Sequence, residues 1–248
     1  MGILLKAYTR LLQDAHKHVR KGAHLHLGTF LSTFNGAQVP TQLVSAFLSM
    51  ATDDILRQQM AFQFPAIVLA LGAGRWSELR EGYLSLSRSD DDKVRQTLAA
   101  SLHEVAEVLG PDHSEKDLLP VLDAFMNDTE GVSLGVTKNL AAFLEHVGPS
   151  WRETYLPVLK ELLERTASMK WRSREALCNQ LSDLAGLYAP PSVHAVLAPL
   201  ASSFLRDSVA QVRLVAIEAV PPLLKALASG EHPEFQVIPF IILPVFFV

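Results

Sequence analysis

Few residues in this chain are able to do chemistry, and their spacing decides what they can do. His103 and Glu104 begin the pattern of a zinc-protease helix, which needs a second histidine at position 107, where the chain has Glu107. His103 and Glu107 stand one helical turn apart, close enough to share a metal, but the pair reads as a solvated helix face. His16, His18, His24 and His26 are spaced so that their side chains leave a helix in different directions, and no convergent ligand set follows. Gly72, Gly74 and Arg75 end an apolar helical run instead of following a strand, so they make no phosphate loop. Cys178 adjoins an apolar stripe residue, Leu177, and reads as a structural thiol. The expectation is a chain with no catalytic residue, no cofactor and no metal of its own.

The basic and aromatic stretch SMKWRSRE, residues 168–175, is the one that suits recognition. Tryptophan and arginine are favoured anchors of protein interfaces, so Lys170, Trp171, Arg172 and Arg174 are candidates for partner binding. Packing of Trp171 against a neighbouring element is the other reading, and both stay open here.

Composition sets limits on the partner. Of 248 residues, 49% are hydrophobic and 19% charged, with a net charge of -4, so no global basic field draws the protein to nucleic acid or an anionic bilayer. One cysteine excludes an intramolecular disulfide and suits a reducing compartment, cytoplasmic or nuclear. MGILLKAYTR lacks the basic start of a secretory signal, and Lys6 stands where an acylation signal prefers Ser or Thr.

These residues are positioned by a repeat. In the stretch 92–111, Val94, Leu98, Leu102, Val105 and Leu109 form one stripe of a helix, ended by Gly110 and Pro111. Thirty-eight residues later the stripe recurs as Val132, Val136, Leu140, Phe143 and Val147, followed by Gly148 and Pro149. Further copies run through Val19 to Phe34, Leu56 to Leu71, Leu177 to Tyr188 and Val212 to Leu227, with starts 37 to 41 residues apart. A shorter apolar helix precedes each. A period of this size filled with helix pairs predicts an all-α fold, a right-handed α-solenoid of about six HEAT repeats. The expected pairs are 3–36, 40–73, 75–110, 116–148, 152–189 and 193–229, one solenoid over 1–230.

Two details favour the HEAT form over the armadillo form. Pro120, Pro157 and Pro199 sit alike in three first helices, where a proline costs about 3 kcal/mol and reads as a built-in bend. An aspartate follows eight residues after two of them, at Asp128 and Asp207. Each second helix opens on a basic residue, Arg20, Arg57, Arg95, Arg174 and Arg213, with Ser133 breaking the series. The turns before them hold Asp14, Asp53, Asp54, Asp90, Asp92, Asp128 and Asp207. In HEAT proteins such Asp and Arg residues commonly form a ladder between neighbouring repeats, and the resemblance to them implies one here. Pro65, and Pro221 with Pro222, predict either kinks in the second helices or later helix starts. The stretch 231–248 is an apolar tail broken by Pro239 and Pro244, too short to span a membrane. It reads as a seventh repeat cut short, an alternative end, or a docking peptide.

The runs AFQFPAIVLALG (61–72), WSELREGYLSLSRSDDDKVRQTLAASLHEVAEVLG (76–110), DLLPVLDAFMND (117–128) and MKWRSREALCNQL (169–181) resemble the phosphatase 4 regulatory subunit 1 family, HEAT-repeat relatives of the phosphatase 2A scaffold subunit. The resemblance spans about residues 40–220 and includes Pro65, Trp76, Arg95, Trp171 and Arg172. It implies a non-catalytic regulatory or scaffold subunit that binds a Ser/Thr phosphatase catalytic subunit and directs it to substrates, the metals belonging to that partner. It also implies contacts from the turns between paired helices, here Asp53, Asp54, Asp92, Lys93, Arg95, Lys170, Trp171, Arg172, Arg174, Asp207 and Arg213. The fold alone equally allows a HEAT adaptor in transport or assembly. A HEAT-repeat metalloenzyme such as deoxyhypusine hydroxylase would repeat its His-Glu motif, and His103-Glu104 stands once.

Overall fold

The computed structural model describes residues 2–34, 39–165 and 170–229, without the side chains of 162–165. Gly36, Ser168, Met169 and the apolar tail at 231–248 therefore lie outside the described residues. All regular structure among the described residues is helical. The contacts divide the chain into two compact units, Met1–Val136 and Thr137–Val248.

Unit 1 holds α1 (Gly2–Leu12), α2 (Lys17–Leu25), α3 (Leu27–Leu31), α4 (Thr41–Ser49), α5 (Asp54–Leu71), α6 (Trp76–Ser87), α7 (Asp92–His113), α8 (Leu119–Met126) and nearly all of α9 (Glu130–Thr137). Its long helices show why the sequence folds as it does. Asp53 caps α5 by accepting from the Ile55 and Leu56 amides, and Asp91 caps α7 by accepting from Lys93 N. The stripe of α5 (Leu56, Met60, Phe64, Ile67, Leu71) and that of α7 (Val94, Leu98, Leu102, Val105, Leu109) are buried throughout. Gly72 and Gly110 then take φ of 74° and 71°, which L side chains rarely adopt, and each ends its stripe. Residues 111–113 are a fresh turn beginning at Pro111, whose fixed φ suits a first turn. Between the stripes of α4, α5 and α6 lies an edge-to-face aromatic series, Phe47 to Phe64 to Tyr83 to Trp76, with ring centroids 5.0 to 5.7 Å apart.

Unit 2 holds α10 (Leu140–Glu145), α11 (Pro149–Thr154), α12 (Leu156–Arg165), α13 (Trp171–Leu187), α14 (Pro190–Ser192), α15 (Ala198–Leu205) and α16 (Ala210–Ala228). Leu177, Leu181 and Leu184 of α13 and Val212, Ala216 and Leu223 of α16 are buried where these two helices pack. No helix of the described residues is long and apolar enough to cross a membrane.

The structure corrects the sequence reading at four places. Val19, expected on a buried stripe, is 38% exposed. The second helix of the first copy breaks at His26, and that of the fourth breaks at residues 138–139, although the stripe residues Val132, Val136, Leu140, Phe143 and Val147 are all buried. Pro65 and the pair Pro221 and Pro222 lie inside uninterrupted helices, so those helices do not start late. The apolar stripe stays in phase on both sides of each proline, and packing holds the helix across the lost hydrogen bond. Finally, the bend expected at the first-helix prolines is a π-turn placed just before Pro120 and Pro199, and at Pro157 it is a break at Tyr155 between α11 and α12. Leu119 N donates five residues back to Ser114 O, ahead of Pro120, and Ala198 N donates five back to Val193 O, ahead of Pro199. The widened turn gives the proline ring room that a regular α-turn denies it.

Candidate partner-binding ridge

Each turn between a first and a second helix ends in carbonyls that no helix satisfies. The recurrent arginine answers them in the same way in four copies, through a bond to the carbonyl six residues earlier. Arg20 reaches Asp14 O at 2.6 Å, Arg57 reaches Ala51 O at 3.1 Å, Arg95 reaches Ser89 O at 2.6 Å and Arg213 reaches Asp207 O at 2.6 Å. Placed in the first turn of its helix, the guanidinium folds back over the turn and fixes its shape.

Two of these arginines also bind the next repeat. Arg95 grips Asp128 through two bonds of 2.7 and 2.8 Å, and Arg174 grips Asp207 through two of 2.5 and 2.8 Å. Both pairs span 33 residues and are largely shielded, with side-chain exposures between 7% and 16%. They are the rungs that the sequence pattern anticipates. Hydrogen bonds from Arg95, and then from Thr129 N, hold the Asp128 carboxyl below the ordinary carboxylate range against the cost of its burial. Arg174, helped by Val209 N, does the same for Asp207. Because both folded pKa values are depressed, the rungs contribute fully above the ordinary aspartate value of about 4 and are lost as pH falls through the depressed values. The urea midpoint is therefore expected to stay level from neutral pH to about pH 5 and to fall below about pH 4. A chain with Asp128→Asn and Asp207→Asn should start about 2 kcal/mol less stable and show a shallower acid decline. An unchanged decline would mean other carboxyls carry the acid response.

The remaining candidates are more open. Asp53 serves as the α5 cap, and Asp54, with a 91% exposed side chain, meets Arg57 at 2.8 Å. Asp92 and Lys93 are exposed in the first turn of α7. In unit 2, Lys170 caps α13 by its extended backbone, and the exposed Arg172 lies 4.5 Å above the half-buried ring of Trp171, a cation-π pair. Unit 1 thus gathers Asp53, Asp54, Asp92, Lys93 and Arg95 at helix starts. Unit 2 gathers Lys170, Trp171, Arg172, Arg174, Asp207 and Arg213. Within these sets Arg95, Arg174, Asp207 and Arg213 are engaged inside the chain. Asp54, Asp92, Lys93, Lys170 and Arg172 face solvent.

Residues able to do other chemistry are engaged in structure. Burial pushes the Cys178 thiol up to about 12, with Asp207 and Glu175 adding to it, so it is no nucleophile. Arg75 joins Glu78 by two bonds of 2.6 and 2.8 Å and donates to Val39 O. Among the described residues no group of three or more His, Cys, Asp or Glu is placed to hold a metal.

Two buried polar devices escape the sequence reading. Gln63 accepts from Gly28 N at 2.5 Å and donates to His24 O and Leu25 O, filling the break between α2 and α3. Gln180 accepts from Ala141 N at 3.0 Å and donates to Lys138 O at the start of α10. Each lies six residues after its helix arginine, which was the available signal. The other device is Asp117, 3% exposed in a π-turn, which accepts from Trp76 Nε1 at 2.8 Å and Arg80 Nε at 2.7 Å. Burial works against its charge, but the bonds from Arg80 and Trp76 outweigh that and hold its pKa down.

Comparison with known proteins gives this arrangement a setting. Residues 60–162 match the family model described as the protein phosphatase 4 regulatory subunit 1 middle domain. The chain is 35% identical over 206 residues to the serine/threonine-protein phosphatase 4 regulatory subunit 1 of Homo sapiens and to that of Mus musculus. The match covers 80% of this chain and 22% of each relative, so the chain spans about a fifth of their length. Two crystal structures of engineered proteins share its fold, with TM-scores of 0.54 and 0.56 at 16% identity. They cover 89% and 88% of this chain and 96% and 57% of their own, and this shared all-α fold is consistent with an α-solenoid.

Proposed function

We propose that this chain, similar across most of its length to phosphatase 4 regulatory subunit 1, acts as a non-catalytic regulatory or scaffold subunit that binds a Ser/Thr phosphatase catalytic subunit and directs it to substrates. The observation that carries the reading is the 35% identity over 206 residues to relatives named as regulatory subunits. The turns support it physically. They leave Asp92, Lys93, Lys170 and Arg172 in solvent beside rungs that keep the turns rigid, which lowers the entropy cost of docking, and Asp54 in solvent at the capped start of α5. Trp171 under Arg172 is the anchor we assign to unit 2, since a large ring with a charged cover buries well against a partner. The single, buried cysteine supports a reducing compartment, cytosolic or nuclear, which imaging of a fluorescent fusion would test.

The experiment is co-elution on size exclusion with a phosphatase 4 catalytic subunit, comparing this chain with its Trp171→Ala, Arg172→Ala variant. A loss of about 2 kcal/mol in affinity, near thirtyfold, is expected at unchanged helicity. Absence of any complex with the parent chain, together with a complex formed by a longer relative, would place the binding site outside this segment.

A further inference from the structure

Two rungs of the ladder are open, those expected at Arg20 and at Arg57, and the Arg57 guanidinium is taken up within its own repeat by Asp54 and Ala51 O. By the spacing of 33 residues that joins Arg95 to Asp128 and Arg174 to Asp207, Arg20 should grip Asp53. Instead Asp53 turns its carboxylate to the Ile55 and Leu56 amides, and Arg20 spends only Nη1, on the Asp14 and Ala15 carbonyls. The Nε and Nη2 donors, the two that hold a carboxylate in the closed rungs, bind none here. Lys17, Arg20, Lys21 and His24 fall at intervals of three, one and three along α2, and so share one face of it. This basic face lines a cavity of about 270 Å³ closed on its other side by Ser49, Thr52 and Asp53. His24 Nδ1 lies 2.8 Å from Arg20 O, so it donates there and leaves Nε2 free. Three permanent cations thus face one carboxylate in a chain whose net charge is -4.

We propose that this cavity binds an anionic side chain, a carboxylate or a phosphate, carried by an acidic peptide segment of a protein partner. The incoming anion takes the place that the next repeat's aspartate holds in the closed rungs. Arg20 supplies the fork of two parallel donors, and Lys17 and Lys21 supply the surrounding field. Peptide recognition by such basic clusters is a general mode. The proposal does not rest on phosphatase binding, because the Trp171→Ala, Arg172→Ala variant leaves this cavity intact.

The test is fluorescence anisotropy of the whole chain with a labelled peptide containing Glu-phosphoserine-Glu, beside its Gln-Ser-Gln counterpart. The acidic peptide is expected to bind at least about tenfold tighter, with affinity falling as salt rises. Lys17→Gln with Lys21→Gln should weaken it about tenfold at unchanged thermal melting, and Arg10→Gln, exposed on α1, should not. Arg20 itself is spared because it also pins its turn. Loss of binding by a Glu-Ser-Glu peptide would assign the contact to the phosphate group, and its retention to the carboxylates. Equal binding of the neutral peptide, or indifference to the double lysine variant, overturns the proposal. So does displacement of the peptide by a single-stranded oligonucleotide of equal charge at lower concentration.

Discussion

Gln63→Leu lowers the stability of unit 1 by about 2–3 kcal/mol, although leucine fills nearly the same volume. The reason is polar. The glutamine amide satisfies Gly28 N and two carbonyls at a break between α2 and α3, and it is 6% exposed. Leucine leaves a buried amide without an acceptor, and water has little access to replace it. Gln180→Leu is expected to cost unit 2 a similar amount, through Ala141 N and Lys138 O. Urea titration measures the loss, and hydrogen exchange should show it first at the Gly28 and Ala141 amides. Gly28→Ala should act alike, because its new Cβ would lie 2.7 Å from Gln63 Oε1. Stability unchanged within about 0.5 kcal/mol would show that the helix breaks are satisfied in some other way.

Asp117→Ala is expected to cost about 3 kcal/mol, and Asp117→Asn about half of that. Asparagine keeps an acceptor for Trp76 Nε1, whereas alanine leaves the indole, 1% exposed, with none. The carboxylate also ties α6 to the π-turn through Arg80, so its removal frees the segment before Pro120. Urea unfolding followed by tryptophan fluorescence measures both changes. Equal losses for Ala and Asn would assign the role to charge, and no loss for either would show that the π-turn stands on apolar packing alone.

How far these residues were visible in advance follows from the range of the forces involved. The stripes of α5, α7, α13 and α16 were legible because burial of every third or fourth apolar residue is a local rule. Gly110 was legible as a stop for the same reason, its positive φ being a property of one residue. The rungs were half legible. Arginine and aspartate recur at a constant spacing, but Arg20 and Arg57 break the scheme, since Asp53 caps its own helix instead of crossing to a neighbour and Arg57 pairs with Asp54 one turn away.

The glutamine latches and Asp117 depend on partners 35 to 42 residues away. Nothing local marks them except a polar residue among apolar ones. The breaks in the first and fourth second helices are likewise tertiary, because each is tolerated only where a glutamine from the following repeat completes its hydrogen bonds.

The sequence by itself determined the apolar stripes of α5, α7, α13 and α16 and the glycine stop at Gly110, because periodicity and capping act within a few residues. Only the tertiary structure decided which arginines close rungs, which aspartate is buried and which basic face is left open. Those outcomes depend on the competition of one acceptor between near and distant donors, and that competition exists only once the helices are packed.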